Sequence, residues 1–275
     1  MWRIFVCLMF VFTSTAIAAE PLQFGVLNQR SVLLTAQLWN PILAYLTEKT
    51  GVPLVLKMGK TAQETTMMTV RGDFDFVYTN HLFTPERDKL GYRPIARWDG
   101  AAISGLLVVL ASSPYRQLSD LQGRTVGFPA TDSFASYAVN MAKLQASKVS
   151  VATMFVGNQE AVLSNLQHET IAAAGVNNVV LESYIQREPL AYRVLYQSPS
   201  YFDMPIMVNP RVPVATVEKV QAALIGMNQD VVGRAILLSA SALLKRDKAL
   251  NFVSANQQDY DNYRVFYQHQ QVRTR

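Results

Sequence analysis

Arg30 stands in a polar turn, Asn28-Gln29-Arg30-Ser31, directly after the apolar run Leu22–Leu27. A guanidinium there can grip an oxyanion through two parallel hydrogen bonds, or it can be a solvated surface charge. Tyr78-Thr79-Asn80-His81 has the same placement after Phe74-Asp75-Phe76-Val77, Thr131-Asp132-Ser133 follows Arg124–Phe128, and Gly157-Asn158-Gln159 follows Thr153–Val156. Each turn sets small donors and acceptors where an apolar strand hands over to a helix or loop. Thr131–Ser133 can simply cap the next helix, a contribution of ~1 kcal/mol. The same N-terminus can also present N–H groups and a positive dipole end to an anion. Asp132 opposes an anion if it points into a cleft and is neutral to one if it caps its own backbone. Tyr78 either packs at an edge or offers its hydroxyl.

Other chemistry finds little support. Gly59-Lys60-Thr61 resembles the end of a phosphate-binding loop, but the glycine needed five positions earlier is Leu54. Arg71-Gly72-Asp73 reads as a helix stop before a strand, and no Gly-x-Ser-x-Gly elbow occurs. His81, His168 and His269 lie far apart without ligand spacing. Asp73 and Asp75 flank a turn rather than form an acid/base pair. Neither a catalytic set nor a cofactor or metal is expected.

The elements that must position these tips alternate. Strands read at Leu22–Leu27, Val52–Met58, Asp73–Tyr78, Tyr92–Trp98, Leu106–Ser112, Arg124–Phe128, Thr153–Val156, Ile171–Val176 and Ile206–Val208. Helices read at Val32–Lys49, with a kink or break at Pro41, at Gly59–Arg71, after Ser133, at Gln159–His168 and up to about Gln186. From Val214 a long helical region follows, broken near Gly233 and near Lys245. This order predicts an α/β protein of two lobes, each a mostly parallel sheet flanked by helices, with the strand ends facing one cleft. Lobe 1 is expected over 20–102 and 206–275, and lobe 2 over 103–205, with the last helices packing back on lobe 1.

Residues 1–19 read separately. Arg3, the apolar run Ile4–Phe12 and the small residues before Glu20 have the form of a cleaved signal peptide, too short to span a membrane. Cys7, the one cysteine, lies inside it, so the mature chain is expected to hold no thiol. Export without disulfides suits a Gram-negative periplasm. The formal charge is +5, spread without a basic run, which argues against nucleic acid and fits attraction of small anions.

The segments "FGVL", "WNPILAYLTEKTG", "RGDFDFVYTN", "LSDLQGRTVGFPATDSFASY" and "FVGNQEAVLSNL", in this order between Leu22 and about Leu238, resemble the phosphate, phosphite and phosphonate family of periplasmic substrate-binding proteins. The resemblance implies a type II two-lobed binding fold that closes by a hinge on a small anionic ligand and docks on an ABC permease. Carried over, the ligand-binding residues are Asn28, Arg30, Ser31, Tyr78, Thr79, Asn80, Thr131 and Ser133. Two departures stand out. The second-lobe run Thr131–Tyr137 lacks the family's glycine, and Ile171 falls where the family's aspartate meets the amino group of aminoalkylphosphonates. An aminophosphonate is therefore disfavoured; an oxyanion or phosphonate-like anion is expected, and a ligand that is not anionic stays open. Similar domains also serve sensor histidine kinases, which leaves a periplasmic sensing role as the alternative. An exported hydrolase on the same scaffold is disfavoured by the missing nucleophile and base.

Overall fold

The structure is a computed structural model describing residues 20–100, 102–246 and 248–273, with backbone alone at 271–273. The expected signal peptide lies outside the described residues. The chain enters on β1 (Leu22–Val26), α1 (Val32–Thr50), β2 (Leu54–Lys57), α2 (Ala62–Arg71), β3 (Phe76–Tyr78), α3 (Pro85–Asp88) and β4 (Arg93–Trp98). It crosses to β5 (Gly105–Leu110), β6 (Thr125–Phe128), α4 (Val139–Ala146), β7 (Ala152–Phe155), α5 (Gln159–Gln167), β8 (Ala173–Asn177), α6 (Asn178–Ile185) and β9 (Tyr192–Gln197). It returns through β10 (Pro205–Val208), α7 (Val214–Gly226), α8 (Val231–Leu243), β11 (Phe252–Ser254) and α9 (Asp261–Arg273).

Two sheets result. The first has the order β11-β4-β10-β3-β1-β2, the second β7-β6-β8-β5-β9. The leading βαβ units pair in parallel, β1 with β2 and β3, and β6 with β7 and β8. The strands next to the crossings are antiparallel: β10 to β3 and β4, and β5 to β8 and β9. Each sheet is therefore more mixed than the alternation of strands and helices predicted. The edge strands β9 and β11 are not in the sequence reading: β9 is interrupted by Arg193 and partly exposed, and β11 is only three residues long. Helices α7 and α8 pack on α1.

Local signals explain the elements. Helix α1 begins where the Ser31 hydroxyl accepts the Leu34 N–H, and it ends at Gly51 with φ of 68°. Its buried face, Leu34, Leu38, Ile42, Tyr45 and Leu46, repeats at three and four residues. The break expected at Pro41 is absent; the helix runs through it. Pro41 and Gln37, whose carbonyl loses its partner, are both exposed, so water can satisfy that group. The break expected near Gly233 falls earlier, at Met227–Asp230, and Asp230 caps α8 by accepting the Gly233 N–H at 3.0 Å. Gly233 is needed for close approach instead: a Cβ there would meet the Met227 carbonyl oxygen at 2.2 Å.

The larger core gathers Phe24, Trp39, Ile42, Leu46, Phe76, Ile206 and Phe252 around the first sheet. The second sheet has a core on each face, one with Val108, Val162 and Val176, the other with Leu107, Val126 and Phe128. A further cluster belongs to neither sheet alone. Phe134, after β6, meets Tyr263 of α9 with ring centroids 4.0 Å apart, and Tyr263 meets Phe83 at 5.1 Å. Among the described residues no helix is long and apolar enough to cross a membrane.

Candidate functional site

The tips of β1, β3 and β6 converge between the lobes, and backbone and side chains join across that gap. The Ala62 N–H, at the start of α2, donates to the Gly157 carbonyl at 3.0 Å. The Ser31 N–H donates to Glu160 Oε2 at 3.0 Å. Arg87 Nη1 lies 3.3 Å from Asp132 Oδ2, and His81 Nδ1 lies 3.5 Å from Asp132 Oδ1. Asp132 thus neither caps its helix nor offers a bare carboxylate to the cleft. Burial works to raise its carboxyl, but His81, Arg87 and Thr66 outweigh burial and hold it well below the usual carboxylate range.

Two cavities open along this junction. The inner one measures about 20 Å3, room for roughly one water. Its polar wall comes from Asn28, Gln29, Asn80, His81, Ser133, Ser136, Gln159 and Asn177. The second measures about 810 Å3 and is walled by Arg30, Asp99, Ser183 and Gln186 together with the loop bearing Lys245, Arg246 and Lys248.

Of the expected residues, Asn28, Asn80 and Ser133 reach the small cavity, and Arg30 reaches the large one. Asn28 is already engaged, donating to the Gly59 carbonyl at 2.8 Å and accepting from the Thr65 hydroxyl at 2.6 Å. Asn80 makes a long contact to the Tyr263 hydroxyl, 3.5 Å. Ser133 starts one turn of π-helix, Phe134–Ala138, whose Ala138 N–H reaches the Ser133 carbonyl at 2.9 Å. Its hydroxyl makes no capping bond. Such single turns are frequent at functional sites. Ser31, exposed, is the α1 cap. Thr79 accepts the His81 N–H at 3.1 Å. Thr131 is exposed and lines neither cavity. Tyr78 is buried against Trp39 and donates to Asp203 Oδ2 at 3.4 Å. Burial and the Asp203 charge push its phenol well above the ordinary tyrosine value.

Phe134, directly after Ser133, is buried, with 1% of it exposed. Ile171 lies in the second lobe's core, against Gly127, and not at the cleft. Gln159 and Asn177 were not among the expected residues. Both end a strand or begin a helix, so the signal that selected Asn28 and Ser133 also applies to them. Asn177 both caps α6 and gives its N–H to Gln159 Oε1 at 2.7 Å.

Arg30 is the electrostatic exception. It is 9% exposed, and among the described residues its Nε has no hydrogen-bond partner and its one side-chain bond is to the neutral Gln29 Oε1 at 3.3 Å. Glu160, which could neutralise it, is ion-paired with Arg187. Burial pulls the guanidinium below the ordinary arginine value, against the attraction of Tyr78, Glu160 and Asp203. Asp203 in turn is pushed up by burial, partly offset by the Met204 N–H, Arg30 and Arg246. Among the described residues no group of acidic, histidine or cysteine side chains could hold a metal ion.

Two mixed sheets joined by crossing segments, with polar strand tips meeting at one cleft, define a type II periplasmic binding protein. A family profile described as "ABC transporter, phosphonate, periplasmic substrate-binding protein" matches residues 24–260, and the chain belongs to that family. It is a family of solute-binding proteins, not of enzymes. Among solved structures, a binding-protein component of an ABC phosphonate transporter from Pseudomonas aeruginosa is 14% identical with a TM-score of 0.79, covering 92% of this chain and 87% of that one. PhnD1 from Prochlorococcus marinus, solved with methylphosphonate, is 14% identical with a TM-score of 0.78, covering 91% and 98%. XAC2383 from Xanthomonas citri, solved with ATP, is 18% identical with a TM-score of 0.68, covering 93% and 99%. No curated protein matches the chain.

Proposed function

We propose that the chain is exported to the periplasm by a cleaved signal peptide, binds a small solute through an anionic phosphonate- or phosphate-like group, and delivers it to an ABC permease. The observation that carries this reading is Arg30, a buried guanidinium whose Nε has no partner and which forms no ion pair among the described residues. Leaving a charge buried and unpaired costs several kcal/mol, and a ligand oxyanion removes that cost. Ser133, whose hydroxyl is free of capping, and Asn80 border the small cavity, one from each lobe. Tyr78 and Thr79 act behind them, by holding Asp203 and the His81 turn. Thr131 and Ser31 bear on the ligand only through the turns they form. Closure follows because the bound anion adds contacts that the open form lacks.

A thermal-shift screen tests this. The panel holds phosphate, phosphite, methylphosphonate, sulfate and carboxylates at fixed ionic strength. An anion at a hundred times its dissociation constant adds ~2.7 kcal/mol of stability. A shift seen with the natural chain and lost in Arg30→Met supports the reading. No shift with any anion sinks it.

A further inference from the structure

The large cavity is bigger than a bare headgroup requires. Pockets of about 300–1,000 Å3 enclose drug-sized ligands, and 810 Å3 lies well inside that range. Its wall is graded. At the buried end Arg30 and Ser183 each carry a polar atom, Nε and Oγ, without a hydrogen-bond partner among the described residues. Ser183 is 6% exposed, so bulk water does not satisfy it. At the rim Lys245 and Lys248 are exposed.

Arg246 lies between these ends, half-buried. Its guanidinium lies against Gly100 on the cavity wall: a Cβ there would meet its Nη2 at 3.1 Å. It also acts on Asp203 and Tyr78, as Arg30 does. Among the described residues of the wall, four cations therefore face two carboxylates, Asp99 and Glu182, and none of these six forms an ion pair with another described residue. Val179 and Leu244 give the cavity an apolar stretch.

We propose that this cavity takes an elongated organic dianion, with a phosphonate or phosphate headgroup on Arg30 and Ser183, a short carbon body along Val179 and Leu244, and a second acidic group on Arg246. The proposal rests on the reading of Arg30 as the anion anchor. A guanidinium suits the second group because it pairs with a carboxylate bidentately. The lysines, open to solvent, add attraction more than affinity.

Isothermal titration at fixed ionic strength, with inorganic phosphate, methylphosphonate, phosphonoacetate and phosphonopropionate, tests it. A second charge-assisted contact makes phosphonopropionate bind roughly tenfold tighter than methylphosphonate, or more. Arg246→Ala then weakens phosphonopropionate more than methylphosphonate, and Arg30→Met removes both. Equal affinities for the two phosphonates, or equal losses in Arg246→Ala, overturn the elongated ligand while binding that still depends on Arg30 keeps the anchor. Binding that survives Arg30→Met overturns the anchor itself and the dianion with it.

Discussion

Asp132, at the helix start of the second lobe, receives Arg87 of the first lobe at 3.3 Å. His81 lies on its other oxygen, and the Thr66 hydroxyl lies 2.8 Å from His81 Nδ1. The pair crosses the cleft beside Ser133, so it acts as a latch between the lobes. The three oxygen-bearing residues at this turn have divided their work: Asp132 joins the lobes, Ser133 borders the cavity, and Thr131 faces solvent.

Asp132→Asn should weaken closure by ~1–3 kcal/mol, the worth of a charge-assisted contact. Small-angle scattering of the unliganded protein would then give a larger radius of gyration than the natural chain. An unchanged radius means that the pair does not hold the lobes. Because the folded carboxyl sits below its ordinary value, its contribution is present above about pH 3.9 and is lost as pH falls further.

Arg30→Met should raise the melting temperature of the unliganded protein while removing anion binding. Methionine replaces a buried, unpaired charge with a flexible apolar side chain. Scanning calorimetry checks the first half. A lower melting temperature would mean that Arg30 serves the fold.

Asp203→Asn should stabilise the unliganded protein at neutral pH. The folded carboxyl is raised, so its stability is full below about pH 3.9 and is lost as pH rises through the folded value. Asparagine keeps an acceptor for the Tyr78 hydroxyl. Melting curves of the two proteins should converge in acid; a gap that persists at low pH contradicts the assignment.

Gly175→Ala should destabilise by ~1–3 kcal/mol, as overpacking does. A Cβ there would meet the Phe128 ring at 2.3 Å and the Ser136 carbonyl at 2.4 Å. The π-helical turn would be pushed off the sheet and Ser133 with it. Urea midpoints give the first effect and anion affinity the second. Affinity unchanged in a folded variant would show that the turn does not position the site.

The strand tips were legible because an apolar run that stops at Asn28, Tyr78 or Thr131 leaves few other places for those residues. Arg30 was legible as a candidate, but its isolation was not. That depends on Glu160 of α5 pairing with Arg187, which lies in the turn after α6, 27 residues further on. The aromatic wedge of Phe134 and Tyr263 was equally hidden, since α9 docks on a lobe far from it in sequence. Ser183 and Arg246 carried no signal, because a helix-face serine and a loop arginine have no strand before them.

A crystal structure of the protein with whichever anion most raises its melting temperature tests the central claim most directly. The account predicts an anion oxygen roughly 2.7–3.2 Å from Arg30 Nε. An anion bound elsewhere, with Arg30 Nε still unpartnered, would contradict it.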